Sequence, residues 1–167
     1  MTWPAQLATH PARSAVGLGL ALSLVSAPAS LGIALLANAL LPEHWFGESA
    51  AGDLGDMSAA GFLLLGVLLA PALETLLGQC LPIEALRRLR ARPLACVLAS
   101  ATLFGGAHWV NGGLGHGLTT FAAGSLFALG YGLCRPAGLR HAFASAYVAH
   151  AAHNFLTWFV LGPLLGG

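Results

Sequence analysis

Apolar residues run along this chain in long blocks separated by short polar stretches, without the two-residue alternation of a half-buried strand. Five blocks approach the roughly 20 apolar residues that an α-helix needs to cross the hydrocarbon core of a bilayer. They cover residues 14–41, 57–81, 94–110, 115–134 and 139–161. The first is interrupted by Pro28, the second holds Pro71 and a single carboxylate, Glu74, and the third is short, with Gly105 and Gly106 near its end. Residues 83–92 are amphipathic, with Glu84 and Arg88 one turn apart. They are expected to lie in the interface or to extend the second span. The predicted fold class is all-α: a polytopic transmembrane helix bundle of about five spans. Its expected divisions are a cytoplasmic N-terminus (1–13), a first span with an acidic outer loop (14–56) and a core bundle (57–167).

The charges between the blocks sort by sign. Arg13 precedes the first block, Arg87, Arg88, Arg90 and Arg92 separate the second from the third, and Arg135 and Arg140 separate the fourth from the fifth. With the N-terminus in the cytoplasm, every arginine falls inside, as the positive-inside rule requires. Glu43, Glu48, Asp53 and Asp56 then fall outside. A missed or invented span would scramble this sorting, so the expectation is N-in, C-out. Arg13, the run 14–25 and Ala27-Pro28-Ala29 imitate a secretory signal with a small-residue cleavage site. Apolar sequence continues through 31–41, however, so a retained span is expected.

Composition narrows the class further. Of 167 residues, 57% are hydrophobic and only 8% charged, against about 25% charged in soluble domains, and the mean hydropathy is +0.77. That excludes a water-soluble enzyme and leaves a multi-pass membrane protein, with the lipid bilayer as its first partner; the expected location is the inner (plasma) membrane. A net charge of +1 offers no basic stripe, so no nucleic-acid partner is expected. Cys80, Cys96 and Cys134 have neither the number nor the spacing of a disulfide framework or zinc ribbon. They read as small apolar fillers at cytoplasmic span ends.

Candidate chemistry lies in the polar residues at membrane depth, where an ionisable side chain is costly and by default functional. Glu74 sits in the second block, His108 near the end of the third, and His150, His153 and Asn154 in the fifth. Placing these groups on separate lipid faces would be costly, so they are expected to converge. Phe104 and His108 share a helix face, as do His150 and Asn154, while Thr75 follows Glu74 and precedes Gln79 by one turn. A carboxylate, two imidazoles and an amide suffice for water-mediated acyl transfer. Glu74 is the candidate general base, and His108, His150 and Asn154 would orient water and stabilise an oxyanion. His153 is one turn from His150, a spacing that can hold a metal, but the rotation that aims His150 and Asn154 inward carries His153 to the margin. His116 and His141 fall near predicted interfaces and His44 in the outer loop, and all three are left out of the candidate site.

The set Ala70-Pro71-x-x-Glu74-Thr75-x-x-x-Gln79, Phe104-x-x-x-His108 and His150-x-x-x-Asn154 resembles the three motifs of the CPBP intramembrane proteases. These are the type II CAAX prenyl endopeptidases and their bacterial relatives. The stretch 121–138, a Gly-spaced helix followed by Arg-Pro-x-Gly-Leu, is similar too, and the resemblance covers roughly residues 60–160. It implies a bacterial member with a CPBP-like core that hydrolyses a peptide bond in a membrane-anchored protein or peptide. Glu74, His108, His150 and Asn154 are then catalytic, with Thr75, Gln79 and Phe104 in support. No cofactor is firmly implied; zinc, if present, would fall to Glu74, His108 and His150. The commonest first motif of the family, Glu-Glu-x-x-x-Arg, is altered here, with Thr75 for the second Glu and Gln79 for the Arg. The paired change removes an anion and its likely cation together, so a neutral Thr75–Gln79 contact is expected in place of an ion pair.

The alternatives are a non-catalytic scaffold or bacteriocin-immunity-type protein on the same fold, a proton- or metal-coupled carrier, and a rhomboid-type serine protease. The carrier lacks an inverted repeat. The serine protease would need a Gly-x-Ser-Gly nucleophile, and Gly124-Ser125 does not supply that context. Depth raises one geometric objection. Counted from the inner ends of their blocks at 1.5 Å per residue, Glu74 lies about 10 Å deep and His108 about 20 Å. Tilt, a kink at Pro71 or a later start of the third span would be needed to bring them level.

Overall fold

The structure, a computed structural model, describes residues 3–42, 45 and 57–164. Glu43, His44, Glu48, Asp53 and Asp56 lie outside the described residues. A short helix α1 (Trp3–Thr9) leads into α2 (Pro11–Leu40). A continuous helical run, α3 (Ala59–Arg88), follows, then α4 (Pro93–Cys134) and α5 (Leu139–Phe155). The chain goes on from α5 through the wide-turn segment Leu156–Leu161 and a last α turn, Gly162–Leu164. Among the described residues there is no strand. Among the described residues, three helical runs, Pro11–Leu40, Ala59–Arg88 and Pro93–Ala137, are long and apolar enough to cross a membrane.

The last of these runs is two arms. At Gly112 (φ −152°) and Gly113 (φ 78°, ψ 171°) the backbone leaves the helical region, and the second of these conformations is open to glycine but not to a residue with a Cβ. The chain folds back on itself there: a Cβ built on Gly105 would lie 2.8 Å from the Gly117 carbonyl, and one on Gly117 would lie 2.6 Å from Cβ of Trp109. The third and fourth apolar blocks are therefore the arms of a helical hairpin, in contact because glycines line the seam.

Prolines shape α3 and the end of α5. A proline ring inside a helix clashes with the carbonyl of the preceding turn and offers no N–H. Each of three prolines here is preceded by a segment wound in wider turns, Leu63–Leu69 before Pro71, Leu76–Cys80 before Pro82 and Leu156–Leu161 before Pro163. The residue just ahead of each proline donates its N–H five residues back: Ala70 to Leu65, Leu81 to Leu76, Gly162 to Thr157. Carbonyls that the prolines leave without an amide find side chains on neighbouring helices. Gly66, five residues before Pro71, receives the Asn154 amide at 2.8 Å. Gly78, four before Pro82, receives the Ser100 hydroxyl at 2.7 Å.

Packing gathers α2, α4 and α5 around one another, with α3 against α4 and α5. The core holds Phe104, Phe127, Tyr131 and Ile83, with Ala142, Ala146 and Ala149 letting α5 approach closely. The three cysteines are free and buried, in keeping with their reading as fillers. Leu24, Leu36, Leu40, Leu73 and Leu77 are each more than half exposed, an apolar exterior that suits lipid and not water. At one end, Glu84 takes Arg135 in two hydrogen bonds of 2.6 and 3.1 Å and the Tyr131 hydroxyl at 3.0 Å. The amphipathic stretch thus extends the second span, tying it to the hairpin's second arm. This also resolves the depth offset. Helix α3 runs unbroken to Arg88, so the count for Glu74 starts there and gives about 20 Å, level with His108 counted from Pro93; a later start of the third span is not needed.

Ser100→Ala strips the Gly78 carbonyl of its donor and is expected to cost about 1–2 kcal/mol in unfolding free energy in detergent. Most of that loss should be recovered in a Pro82→Ala background, where the helix supplies its own N–H. Equal losses in both backgrounds would contradict this account of the wide turn.

Candidate functional site

Glu74 lies in the short α stretch Ala70–Thr75 between the two wide-turn segments of α3 and meets side chains of α4 and α5. Its Oε2 lies 3.4 Å from Nε2 of His150 and 3.8 Å from Nε2 of His108. The carboxylate is partly open, at 38% exposure, while His108 is 22% and His150 only 4% exposed. His108 donates its Nδ1–H to the Phe104 carbonyl at 2.8 Å, which leaves a lone pair on Nε2 facing Glu74. His150 is arranged the other way round: Thr75 Oγ1 is 3.4 Å from its Nδ1, so a hydroxyl donated there places the imidazole proton on Nε2, towards the carboxylate. One carboxylate therefore faces an acceptor and a donor nitrogen from two different helices.

Aromatic rings fix these imidazoles. Phe127 stacks on His150 with centroids 4.7 Å apart, and Phe104 packs against His108 at 4.4 Å and edge-on to His150 at 5.3 Å. Phe104 is itself clamped between two glycines, since a Cβ on Gly78 or on Gly124 would come within 2.8 Å of its ring. Asn154 donates to Gly66 and keeps a second N–H and its carbonyl oxygen free for the site.

The candidate residues border one cavity of about 370 Å³. Glu74, His108, His150 and Asn154 line it, as does Phe104, so three helices bring these side chains to one place. Thr75 and Gln79 are buried behind the site, but no hydrogen bond joins them. Thr75 turns to His150, and both polar atoms of the Gln79 amide are buried without a partner. The expected neutral contact is thus replaced by a Thr75–His150 one.

His153, assigned from the helical wheel to the margin, is buried on the cavity wall, with Nδ1 2.8 Å from the Ser26 hydroxyl. His116, left out of the candidate set, also lines the cavity, its ring 5.1 Å from that of His108. The Gly112–Gly113 bend returns it there. His141 is buried and not solvated, donating Nδ1–H to the Ala137 carbonyl away from the cavity. Ser125 hydrogen-bonds within its own helix and does not border the cavity. The sequence reading also missed the contribution of α2. Its signal was present in Ser23, Ser26 and Ser30, which recur on one buried face of that helix. Among the described residues no three His, Cys, Asp or Glu side chains form a group arranged to hold a metal ion. No step below runs through a metal.

An all-helical membrane protein with a glutamate between two histidines in an intramembrane cavity defines the class. The family follows from comparison: the model of the type II CAAX prenyl endopeptidase Rce1-like family matches residues 56–156. The chain belongs to this family, whose members are CAAX-type intramembrane proteases. No curated protein and no solved structure shows a significant match to it.

Gly124→Val is expected to drive a branched side chain into the Phe104 ring and cost about 1–3 kcal/mol of stability by overpacking. Gly106→Ala, where an added Cβ meets nothing within 4 Å, should leave the unfolding temperature unchanged or raise it. Equal tolerance of both substitutions would show that Phe104 is not clamped.

Proposed function

We propose that this protein is a plasma-membrane endopeptidase that hydrolyses a peptide bond in a membrane-anchored protein or peptide, with Glu74 activating the attacking water. The observation that carries the reading is the pair of contacts from one carboxylate oxygen, to His150 at 3.4 Å and to His108 at 3.8 Å. The longer of the two is a separation that a water bridges better than a direct bond. Such a water donates one proton towards Glu74 and another to the lone pair on His108 Nε2.

In the reaction, Glu74 takes the water's proton as its oxygen bonds to the carbonyl carbon. The negative charge that develops on the carbonyl oxygen is met by the Nε2–H of His150 and the free N–H of Asn154, donors already fixed by Thr75, Phe127 and Gly66. Glu74 then passes its proton to the departing nitrogen, and the C–N bond breaks to give a carboxylic acid and an amine. Thr75 and Phe104 position the two imidazoles. The half-open carboxylate and the apolar exterior suit a substrate that arrives from the bilayer.

The test is cleavage, by the purified detergent-solubilised protein, of a panel of membrane-anchored peptides that includes prenylated and unmodified C-termini. Glu74→Gln is expected to lower the rate by at least about a hundredfold, and His150→Phe to lower kcat by about a hundredfold, with chelator leaving the parent rate unchanged. Cleavage that survives Glu74→Gln contradicts the role of Glu74, and loss with chelator moves the chemistry to a metal.

A further inference from the structure

His153 differs from the other imidazoles of the cavity in having a partner on α2. Its Nδ1 is 2.8 Å from Oγ of Ser26, and that hydroxyl itself donates to the Ser23 carbonyl at 3.4 Å. We assign the serine proton to that carbonyl; the serine oxygen then receives the Nδ1–H of His153, and the lone pair lies on Nε2. That nitrogen has no partner among the described residues, although His153 is only 9% exposed and lines the cavity. Phe127 is shared between His150 and His153, stacked on the first and edge-on to the second at 5.6 Å. Both rings are therefore fixed on one wall, one helical turn apart. Much of the cavity lining is apolar, Leu31, Ala34, Phe62, Trp158 and Leu161 among it, and its hydroxyls on Ser30, Thr119, Thr120 and Thr157 are each hydrogen-bonded to a backbone carbonyl.

A held acceptor in apolar surroundings calls for a donor on whatever occupies the cavity. An extended peptide segment carries such donors at every non-proline residue, and at membrane depth no bulk water is present to satisfy them. The three residues from His150 to His153 rise about 4.5 Å along the helix, and an extended chain advances about 3.3 Å per residue. We propose that His153, oriented by Ser26, binds the substrate backbone by accepting an N–H one or two residues from the bond cleaved beside Glu74. The substrate class is thereby an apolar segment bound in extended form. This inference rests on the protease reading, and Ser26 lies outside the residues matched by the family model.

The experiment uses the full chain carrying Glu74→Gln to prevent turnover, labelled with nitrogen-15 at histidine. Its probes are a 12-residue Leu/Ala peptide, acetylated and amidated at its ends, and a set in which one backbone nitrogen at a time is methylated. The unmodified peptide should move the Nε2 resonance of His153 at saturation. Methylation of one particular nitrogen should weaken binding about five- to tenfold and abolish the shift, and the same methylation should cost nothing in a His153→Phe background. Ser26→Ala should reduce the shift even if His153→Phe fails to fold. An unmoved His153 resonance, or the same methylation penalties with and without His153, overturns the inference. Failure of every peptide to bind does so too. Cleavage of the unmodified peptide by the chain with Glu74 intact is scored separately. Hydrolysis without any dependence on His153 leaves the protease reading standing, whereas a His153-dependent binding cycle without hydrolysis sets that reading aside.

Discussion

A backbone group or charge at membrane depth has no bulk water to turn to and is costly unless the protein itself satisfies it. Much of this structure follows from that constraint. Pro71 and Pro82 withhold two N–H groups from α3, and the stranded carbonyls of Gly66 and Gly78 recruit Asn154 and Ser100 from other helices. Glu74, lying between the two distorted segments, meets the imidazoles of α4 and α5. Glu84, at the end of the same helix, meets Arg135 and Tyr131. The bundle is cross-linked where its backbone or its charges would otherwise go unpaired, and the candidate site is the densest of these cross-links.

The apolar blocks were legible because bilayer thickness dictates helix length, and the convergence of Glu74, His108, His150 and Asn154 because isolated polar groups at depth are costly. What escaped the sequence reading depends on details finer than helical period. Of the two placements expected for the amphipathic stretch 83–92, the apolar pattern does not choose; the structure has it extend the second span to Arg88, with Glu84 meeting Arg135 across the bundle. His153 was assigned to the margin by an ideal wheel, whereas α2 approaches α5 so closely at Gly19, where a Cβ would lie 2.7 Å from the Ser145 carbonyl, that His153 is covered too. His116 follows a reversal at Gly112–Gly113 whose direction no local pattern encodes. The Thr75–Gln79 contact inferred from paired substitution does not form, since the Thr75 hydroxyl faces His150 instead.

Helix α2 changes the picture most. The family model begins at residue 56, yet Ser30, Leu31 and Ala34 of α2 line the same cavity, Ser30 also donates to the Thr119 carbonyl at 3.1 Å, and Ser26 contacts His153 on the cavity wall. In the proposed mechanism the hydrolytic groups come from α3, α4 and α5, and α2 adds to the wall of the cavity they line. On that proposal the matched region carries the chemistry, and the preceding helix contributes to the cavity that would receive the substrate.

The most direct test of the central claim asks whether water attacks the substrate carbonyl itself. A cleavable membrane-anchored peptide is turned over in oxygen-18 water with hydroxylamine present, and the new C-terminus is weighed by mass spectrometry. Direct attack by a water activated at Glu74 predicts a single oxygen-18 in the new carboxylate and no hydroxamate. A hydroxamate product would reveal an acyl-enzyme intermediate, and with it a protein nucleophile that this account does not contain.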